Sequence, residues 1–410
     1  MNVALVCDYS LNYMGGAQSV FLDEAELFRN AGERVLVVAP QSGGAPLHPA
    51  LRSSTALIPT LGAIPGARLP VVLNSKSLRR RLRRLFREHR IDIVHIHSEF
   101  GLTAAAAAVA HELGIPVVHT VHTFYWSAPR LGPLDRVAGA VIRGVAGLVR
   151  GAKLRAEAEA DTAVDAALRS VTLEASLNAT RVISPSAHQG RALAAAGVKD
   201  AAVIANPARA GRTRKSVPLT TVDGPLCILW VGRVAPEKRL LEFLEAVERA
   251  GVAVGAGTIE VTVVGDGPLL ADAKKAARTV AQRTGNRVRF TGRVDRNEVS
   301  RLMGKSHLVA LTSHGFDNQP VVVVEAFDVA RSVLYVDPRL EEGLAEAGIL
   351  CSGPDVGGMA TTLIELVREP SIVIHRSAQT VAASRRFAPE NHLAQVRTVW
   401  ASAVADAAVV

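Results

Sequence analysis

Asp317 and Glu325, with seven residues between them, flank a Pro320 that reads as the start of a helix. Carboxylates placed on a loop and on the helix that follows it accept hydrogen bonds from hydroxyl-rich ligands. Between them the helix start supplies donors. Proline suits a first helical position because the amide it lacks would have no partner there. The amides of Val321, Val322 and Val323 are then expected to be free and directed at an anion, with Asn318 on the same loop. Upstream, Arg233 and Lys238 lie five apart in VGRVAPEK, across a turn containing Gly232. Two cations in such a turn would steady charge growing on a departing phosphate. An anion in the middle with hydroxyl-rich groups at both ends describes a nucleotide sugar.

Histidines form a second group. His95 and His97 lie in DIVHIHS, and His119 and His122 in HTVHT. Strand alternation puts His95 and His97 on one side, while His97 and His122 fall at strand ends, where open parallel sheets bind ligands. Hydrogen bonding to a substrate suits them better than metal ligation, since no cysteine or carboxylate is seen to complete a site. No metal is expected.

These side chains need strands and helices to hold them. Residues 2–9 form a nearly continuous apolar run, as in a strand covered on both faces. A loop with Gly15 and Gly16, a helix to about Ala31 and a strand over 34–39 follow. The double glycine lets backbone approach a ligand, although no GxGxxG is present. Strands are predicted over 92–98, 116–119, 181–186 and 202–207. After a linker rich in Arg, Thr, Gly and Pro at 208–224, five more follow at 227–231, 260–264, 288–291, 308–312 and 332–336. The glycine turns VGDGP, with Gly265 and Asp266, and TGRV, with Arg293, end two of these strands and are placed to hold a base. The pattern is α/β, with doubly wound halves at 1–208 and 209–388. A final helix within 389–410 is set to cross back to the first half.

Of the 410 residues 49% are hydrophobic and 21% charged, enough for two domains with sizeable cores. Cys7, Cys227 and Cys351 are scattered and imply neither a disulfide nor a metal framework. A formal charge of +9 and a pI near 9.9 call for an anionic partner. Only 4% of residues are aromatic, which argues against a stacking platform for nucleic acid. The most basic segment, 76–90, repeats Leu78, Leu82, Leu85 and Phe86 on one helical face, with Arg79, Arg80, Arg83 and Arg84 among the residues covering the rest. It is either a solvated face or a surface for anionic lipid headgroups. Residues 126–180 read as an insertion of amphipathic helices, serving ordinary packing or an interface. In the second case Trp126, Val141, Ile142, Val145 and Leu148 would face lipid, and Arg143, Arg150, Lys153 and Arg155 headgroups. No apolar run is long enough to span a membrane, and Met1 leads straight into a strand. A cytoplasmic protein is expected, free or held at the inner face of the membrane.

Taken in order, these pieces resemble the retaining glycosyltransferases numbered family 4, which include sucrose synthase and bacterial lipid mannosyltransferases. The resemblance covers nearly the whole chain and is strongest over 227–327. It implies the GT-B architecture, two Rossmann-like domains facing each other across a cleft that closes on the donor. Glu325 matches the family's ribose-binding acid. Asp317 stands where the first acid is usually Glu, in DNQP where relatives often read ENFP. Ala330-Arg331-Ser332 replaces a common glycine. Gly15 and Gly16 match the loop near donor phosphate and acceptor, and His122 the histidine that touches the donor sugar. Arg233 and Lys238 match the diphosphate pair, with Gly265, Asp266 and Arg293 near the base. The implied reaction moves mannose or glucose, with retention, from a donor such as GDP-mannose or UDP-glucose, without metal or cofactor. The segment HTVHTFYW and the Arg-rich helix favour a membrane glycolipid acceptor, with His97 and the four arginines on the acceptor side. The alternatives are a soluble acceptor and a non-catalytic binder of nucleotide sugars. Oligomeric state is not legible.

Overall fold

The strand β1 (Asn2–Val6) is buried along nearly its whole length, as a central parallel strand must be when helices cover both faces. In the computed structural model, which describes residues 1–11, 15–41, 54–64, 69–125, 131–209 and 217–407, the chain forms two units. Met1–Ala210 joins with Pro389–Val410, and Gly211–Ala388 stands as the other.

In the first unit β1 is followed by β2 (Arg34–Pro40), β3 (Thr55–Ile58) and a hairpin of β4 (Ala63–Ile64) and β5 (Leu69–Pro70). Then come β6 (Ile93–Ile96), β7 (Val117–Thr120), β8 (Arg181–Ser184) and β9 (Ala202–Val203). Apart from the hairpin these strands make one parallel sheet in the order β3-β2-β1-β6-β7-β8-β9. Helices α1 (Gly16–Asn30), α2 (Lys76–Glu88), α3 (Gly101–Glu112), α4 (Asp135–Arg150), α5 (Ala163–Leu177) and α6 (Ala187–Ala195) complete the crossovers. The second unit repeats the scheme with β10 (Leu226–Val231), β11 (Ile259–Val264), β12 (Arg287–Gly292), β13 (Leu308–Leu311), β14 (Ser332–Tyr335) and β15 (Ile349–Leu350). They lie in the order β12-β11-β10-β13-β14-β15, all parallel. Its helices are α7 (Leu240–Val254), α8 (Leu270–Thr284), α9 (Arg296–Lys305), α10 (Val321–Phe327), α11 (Leu344–Ala347), α12 (Val356–Arg368) and α13 (Ser371–Ala383).

The last helix, α14 (Pro389–Ala407), packs in the first unit. Fully buried Trp400 meets Phe28 of α1 edge-on at 4.7 Å between ring centroids. Arg397 donates to the Glu33 carboxylate at 2.8 Å and to the Ala31 carbonyl at 3.0 Å.

Two helices carry the segments read as packed or membrane-facing, and two arginines of the second differ from the membrane-facing layout. On α2, Leu78, Leu82 and Phe86 are buried in the core, so only its arginine side meets solvent. There Arg83 pairs with Glu112, Arg84 lies 3.6 Å from Glu88, and Arg79 donates to Asn74 at 2.7 Å. Arg80 is exposed. On α4, Val137, Val141, Val145 and Leu148 are 62, 58, 52 and 73% exposed, while Gly139 and Ala146 face inward. Ile142 is only partly exposed, and Trp126 lies outside the described residues. Arg150, expected at headgroups, is instead buried and donates to the Glu99 carbonyl. Arg143 turns to the carbonyls of Leu154 and Ala156, at 3.5 and 3.2 Å. The Arg143 guanidinium thus satisfies carbonyls of the extended segment after α4, and that of Arg150 a carbonyl just before α3.

The substitution at Ala330 has a clear backbone consequence. The amides of Ala330 and Arg331 close the end of α10 on the carbonyls of Phe327 and Ala326, at 3.0 and 2.9 Å. Ala330 holds the left-handed position there, with φ +54°, where glycine is normally found. The neighbouring Arg331 guanidinium is buried and donates to the carbonyls of Gly304, Ser306, Val217, Val329 and Ala330. The departure thus serves packing. Ala330→Gly should stabilise the second unit by about 1 kcal/mol by relieving the left-handed strain. A lowered urea midpoint would show that Ala330's buried methyl contributes more than its backbone strain costs.

Candidate functional site

Each sheet reverses its strand order once, between β1 and β6 and between β10 and β13. Loops leaving those strand ends diverge and open a crevice. In the first unit the crevice is filled from within. Asp8, 1% exposed, accepts from the Phe100 and Leu102 amides at the start of α3, at 3.0 and 2.7 Å. The hydroxyls of Ser98 and Thr103 also donate to it, at 2.8 and 2.7 Å. An internal carboxylate therefore holds the place a ligand anion would take.

The second unit is different. Lys238, beyond β10, donates to Asp317 Oδ1, beyond β13, at 2.6 Å, and Ser313 donates to Asp317 Oδ2. The two predicted catalytic groups thus meet across the strand reversal. The Thr312 hydroxyl donates to the Lys238 carbonyl at 2.6 Å and accepts from Trp230 Nε1 at 3.0 Å, tying both loops to the core. The Lys238 ammonium also sits 4.9 Å from the Phe316 ring centroid. Asp337 anchors this loop by accepting the Gly315 amide at 2.8 Å. Burial alone would raise its carboxyl, but hydrogen bonds from Arg339 and Gly315 outweigh that and hold it at about 2.

Arg233 is matched separately, with Glu237 at 2.5 Å. Glu325 lies 3.4 Å from Arg296, a contact absent from the sequence reading. Asn318 is buried beside Pro320. The helix start needs correction by one residue: Pro320 is the N-cap, with ψ 123°, and α10 begins at Val321. The Val323 amide, expected to be free, donates to the Pro320 carbonyl at 3.1 Å. Val321 and Val322 occupy the first turn, where no preceding turn supplies acceptors.

The glycine turns lock to one another. Gly265 has φ +136°, and a Cβ there would lie 1.8 Å from the Gly232 carbonyl oxygen. Its amide donates to Gly292 O at 2.9 Å, and Val234 N to Asp266 O at 3.0 Å. The turns thus pack closely on one another, with Asp266 and Arg293 exposed on the rim.

In the first unit, His122 Nε2 and His97 Nδ1 are 3.0 Å apart. His97 is fully buried, so the predicted contact with an acceptor gives way to contact with His122. The carboxylate that the sequence did not reveal is Glu24 of α1. Its Oε2 lies 3.5 Å from His97 Nε2, and its Oε1 3.0 Å from His392 Nε2 of α14. The available clue was its place on the same buried face of α1 as Phe21, Ala25 and Phe28. Glu24, His95 and His97 bring possible ligand atoms within 4.8 Å of one another. His95 is already engaged by Thr120 Oγ1 at 2.7 Å and Trp400 Nε1 at 3.4 Å. Gly15 caps α1 in an extended conformation and Gly16 begins it. Arg79, Arg80, Arg83 and Arg84 lie on α2, as described above.

Solved structures place this fold in a class. The chain is similar to Anabaena Alr3699/HepE in complex with UDP and glucose, with TM-score 0.66 and 17% identity over 98% of this chain and 100% of that one. It is likewise similar to sucrose-phosphate synthase from Thermosynechococcus elongatus, with TM-score 0.66 and 15% identity over 99% and 100%. The fold is the GT-B fold of these proteins, built from two Rossmann-like sheets. Residues 14–210 match the family model Glycosyltransferase Family 4, and 225–369 match Glycosyl transferases group 1. The chain belongs to the family 4 glycosyltransferases. It is 25% identical over 390 residues to phosphatidyl-myo-inositol mannosyltransferase from Mycolicibacterium smegmatis, covering 94% of this chain and 89% of that one. The Mycobacterium leprae protein of the same name is 25% identical over 393 residues, covering 94% and 93%.

Burial pushes His95 and His97 well below the ordinary value of 6.5, and lowers His119 to about 3 and His122 to about 4. Between those values and 6.5 the unfolded chain binds protons that the folded one does not, so stability is lost as pH falls through this window. Each such histidine should contribute a slope of about 1.4 kcal/mol per pH unit. Urea midpoints measured from pH 7 to 5 should fall, and His119→Asn should flatten the slope. Equal slopes for both proteins would contradict this account.

Proposed function

We propose that the chain transfers a hexosyl group, mannosyl or glucosyl, from a nucleoside-diphosphate sugar to a hydroxyl of a membrane lipid headgroup, with retention. The observation that carries the donor half is the Lys238–Asp317 pair at the strand reversal, in a chain of this family. A diphosphate carries more charge than one carboxylate and would draw Lys238 and the amides of Val321 and Val322 to itself. Asp317, still held by Ser313, would then accept from sugar hydroxyls, while Glu325 would take the ribose. Arg233 would swing from Glu237 to the leaving phosphate. Growing charge would be met by Lys, Arg and helix amides, so the step calls for no metal, and the departing phosphate oxygen would take the acceptor's proton.

The lipid half is supported by the apolar stripe on α4, Val137, Val141, Val145 and Leu148, all more than half exposed. A stripe of this kind with basic neighbours suits the interface of a bilayer. The curated relatives named above, phosphatidyl-myo-inositol mannosyltransferases, support the same acceptor class. No helix among the described residues is long and apolar enough to cross a membrane.

Melting of the wild type should rise saturably with one of UDP, GDP, UDP-glucose or GDP-mannose. Lys238→Ala should weaken that binding roughly 10- to 100-fold, the worth of one charge-assisted hydrogen bond. If none of the four ligands shifts the wild type, the donor assignment fails. For the lipid half, Val141→Ser with Val145→Ser should reduce sedimentation with phosphatidylcholine vesicles as well as with anionic ones. Undiminished sedimentation would remove α4 from the interface.

A further inference from the structure

Where α1, the end of β6 and α14 meet, three buried atoms have no hydrogen-bond partner: Glu24 Oε2, His97 Nε2 and His392 Nε2. Their residues are 1, 0 and 3% exposed. The two nitrogens face the carboxyl group, His97 Nε2 at 3.5 Å from Oε2 and His392 Nε2 at 3.0 Å from Oε1. Buried polar atoms left unpaired are costly, so the placement of the protons decides what this cluster does.

One end of the cluster is fixed. His392 Nδ1 lies 2.9 Å from the Ala205 carbonyl oxygen, which only accepts, so Nδ1 carries a proton. His392 Nε2 and Glu24 Oε1 would then repel as two lone pairs unless a proton lies between them. Whichever of the two atoms holds that proton, Glu24 Oε2 is left as an acceptor. It takes the proton of His97 Nε2, which leaves a bare lone pair on His97 Nδ1. That lone pair is 3.0 Å from His122 Nε2, which must donate to it. A neutral His122 is thereby left with an unprotonated Nδ1. The opposite assignment would set two buried acceptors, His97 Nε2 and Glu24 Oε2, against each other with no proton between them. Packing holds the His97 ring in place, with Phe21 edge-on at 5.1 Å and His95 at 4.3 Å between centroids. His95 stands outside the series, since Thr120 Oγ1 and Trp400 Nε1 engage its two nitrogens.

His122 is where this order reaches a ligand. It follows β7 at the carboxyl end of the parallel sheet and is only partly buried. An unprotonated Nδ1 accepts a hydrogen bond and cannot give one. The group that suits it is a hydroxyl, which a hexosyl unit supplies and an ionised phosphate does not.

We infer that Glu24 is a positioning residue: through His97 it holds His122 protonated at Nε2, so that Nδ1 receives a hydroxyl of the donor sugar. The inference deepens the proposed function and rests on its donor half. The test uses the full chain, isotope-labelled at the histidine nitrogens, in neutral solution without ligand. Two-bond proton–nitrogen correlations report which ring nitrogen carries the proton, and His122→Asn identifies the signals. The wild type should show His122 protonated at Nε2. Glu24→Leu, close in volume, removes the acceptor and should let His122 populate the Nδ1-protonated form. Glu24→Gln, whose amide can donate to His392 and accept from His97, should keep the wild-type pattern. A wild-type His122 protonated at Nδ1 would overturn the inference before any variant is made. So would a Glu24→Leu spectrum with the wild-type tautomer, or a stoichiometric zinc ion found by elemental analysis of the purified chain.

Binding supplies a readout that a merely structural role would not give. Glu24→Leu should weaken UDP-glucose or GDP-mannose, whichever binds, roughly 3- to 10-fold, the worth of one neutral hydrogen bond. The matching nucleotide without its sugar should bind as it does to the wild type. Equal weakening of both would assign Glu24 to structure alone and overturn the inference. A wild type that binds no nucleotide sugar would sink the donor half of the proposed function, while the tautomer, read without ligand, would stand or fall separately.

Discussion

The ion pair between Lys238 and Asp317 is the contact that ties together the second unit's loops at the strand reversal. Its side chains are 23 and 12% exposed, neither free in water nor sealed. A pair in that setting adds little net stability, because desolvation offsets much of its attraction. What it does is hold an ammonium and a carboxylate at the strand ends in mutually neutralised form. Ser313 and Thr312 prevent either loop from collapsing, since one binds the Asp317 carboxylate and the other the Lys238 carbonyl. Asp317 is one methylene shorter than Glu, yet its reach to Lys238 is complete because both loops are fixed from below by Trp230 and Asp337.

The first unit meets the same topology with the opposite solution. Its strand reversal also aims the start of a helix, α3, at a crevice, but Asp8 satisfies those amides with a buried carboxylate. Four donors converge on Asp8, which is how a buried charge is tolerated. Polar capacity moves to the histidines, which burial keeps neutral. Glu24 touches His97 and His392, so α1 and α14 are joined through the same cluster that supports His122. The crossing helix α14 is thus part of what positions His122.

The parallel sheets were legible because doubly buried strands leave continuous apolar runs, as in β1, β10 and β13. Short edge elements were not. β3, the β4–β5 hairpin and β15 are partly exposed and only two to four residues long, too brief to impose a pattern. Lys238, Asp317 and His122 were singled out from local motifs and the family resemblance, and their positions relative to strand ends followed from the fold. Glu24 was missed because its partners come from β6 and α14, and no spacing along the chain encodes that meeting. The error at Pro320 has a local cause: proline is acceptable both as the N-cap and as the first helical residue. Arg143 and Arg150 follow the packing alternative, which could not be chosen from the sequence because helical periodicity places a side chain on a face without revealing which carbonyls a neighbouring segment will present.

The organisation of α4 argues that its exposed apolar residues are not leftovers of core packing. An ordinary surface helix turns its large apolar side chains inward and its small or polar ones outward. Here the inward positions hold Gly139 and Ala146, while Val137, Val141, Val145 and Leu148 face out. Small inward residues let α4 lie close to the backbone of α5, where a Cβ on Gly139 would meet the Ala163 carbonyl oxygen at 2.6 Å. The helix is therefore held by close backbone approach, by Val149 against the start of α3, and by Arg143 and Arg150 bonding to carbonyls. Val137, Val141, Val145 and Leu148 instead form a continuous exposed stripe along one face of α4.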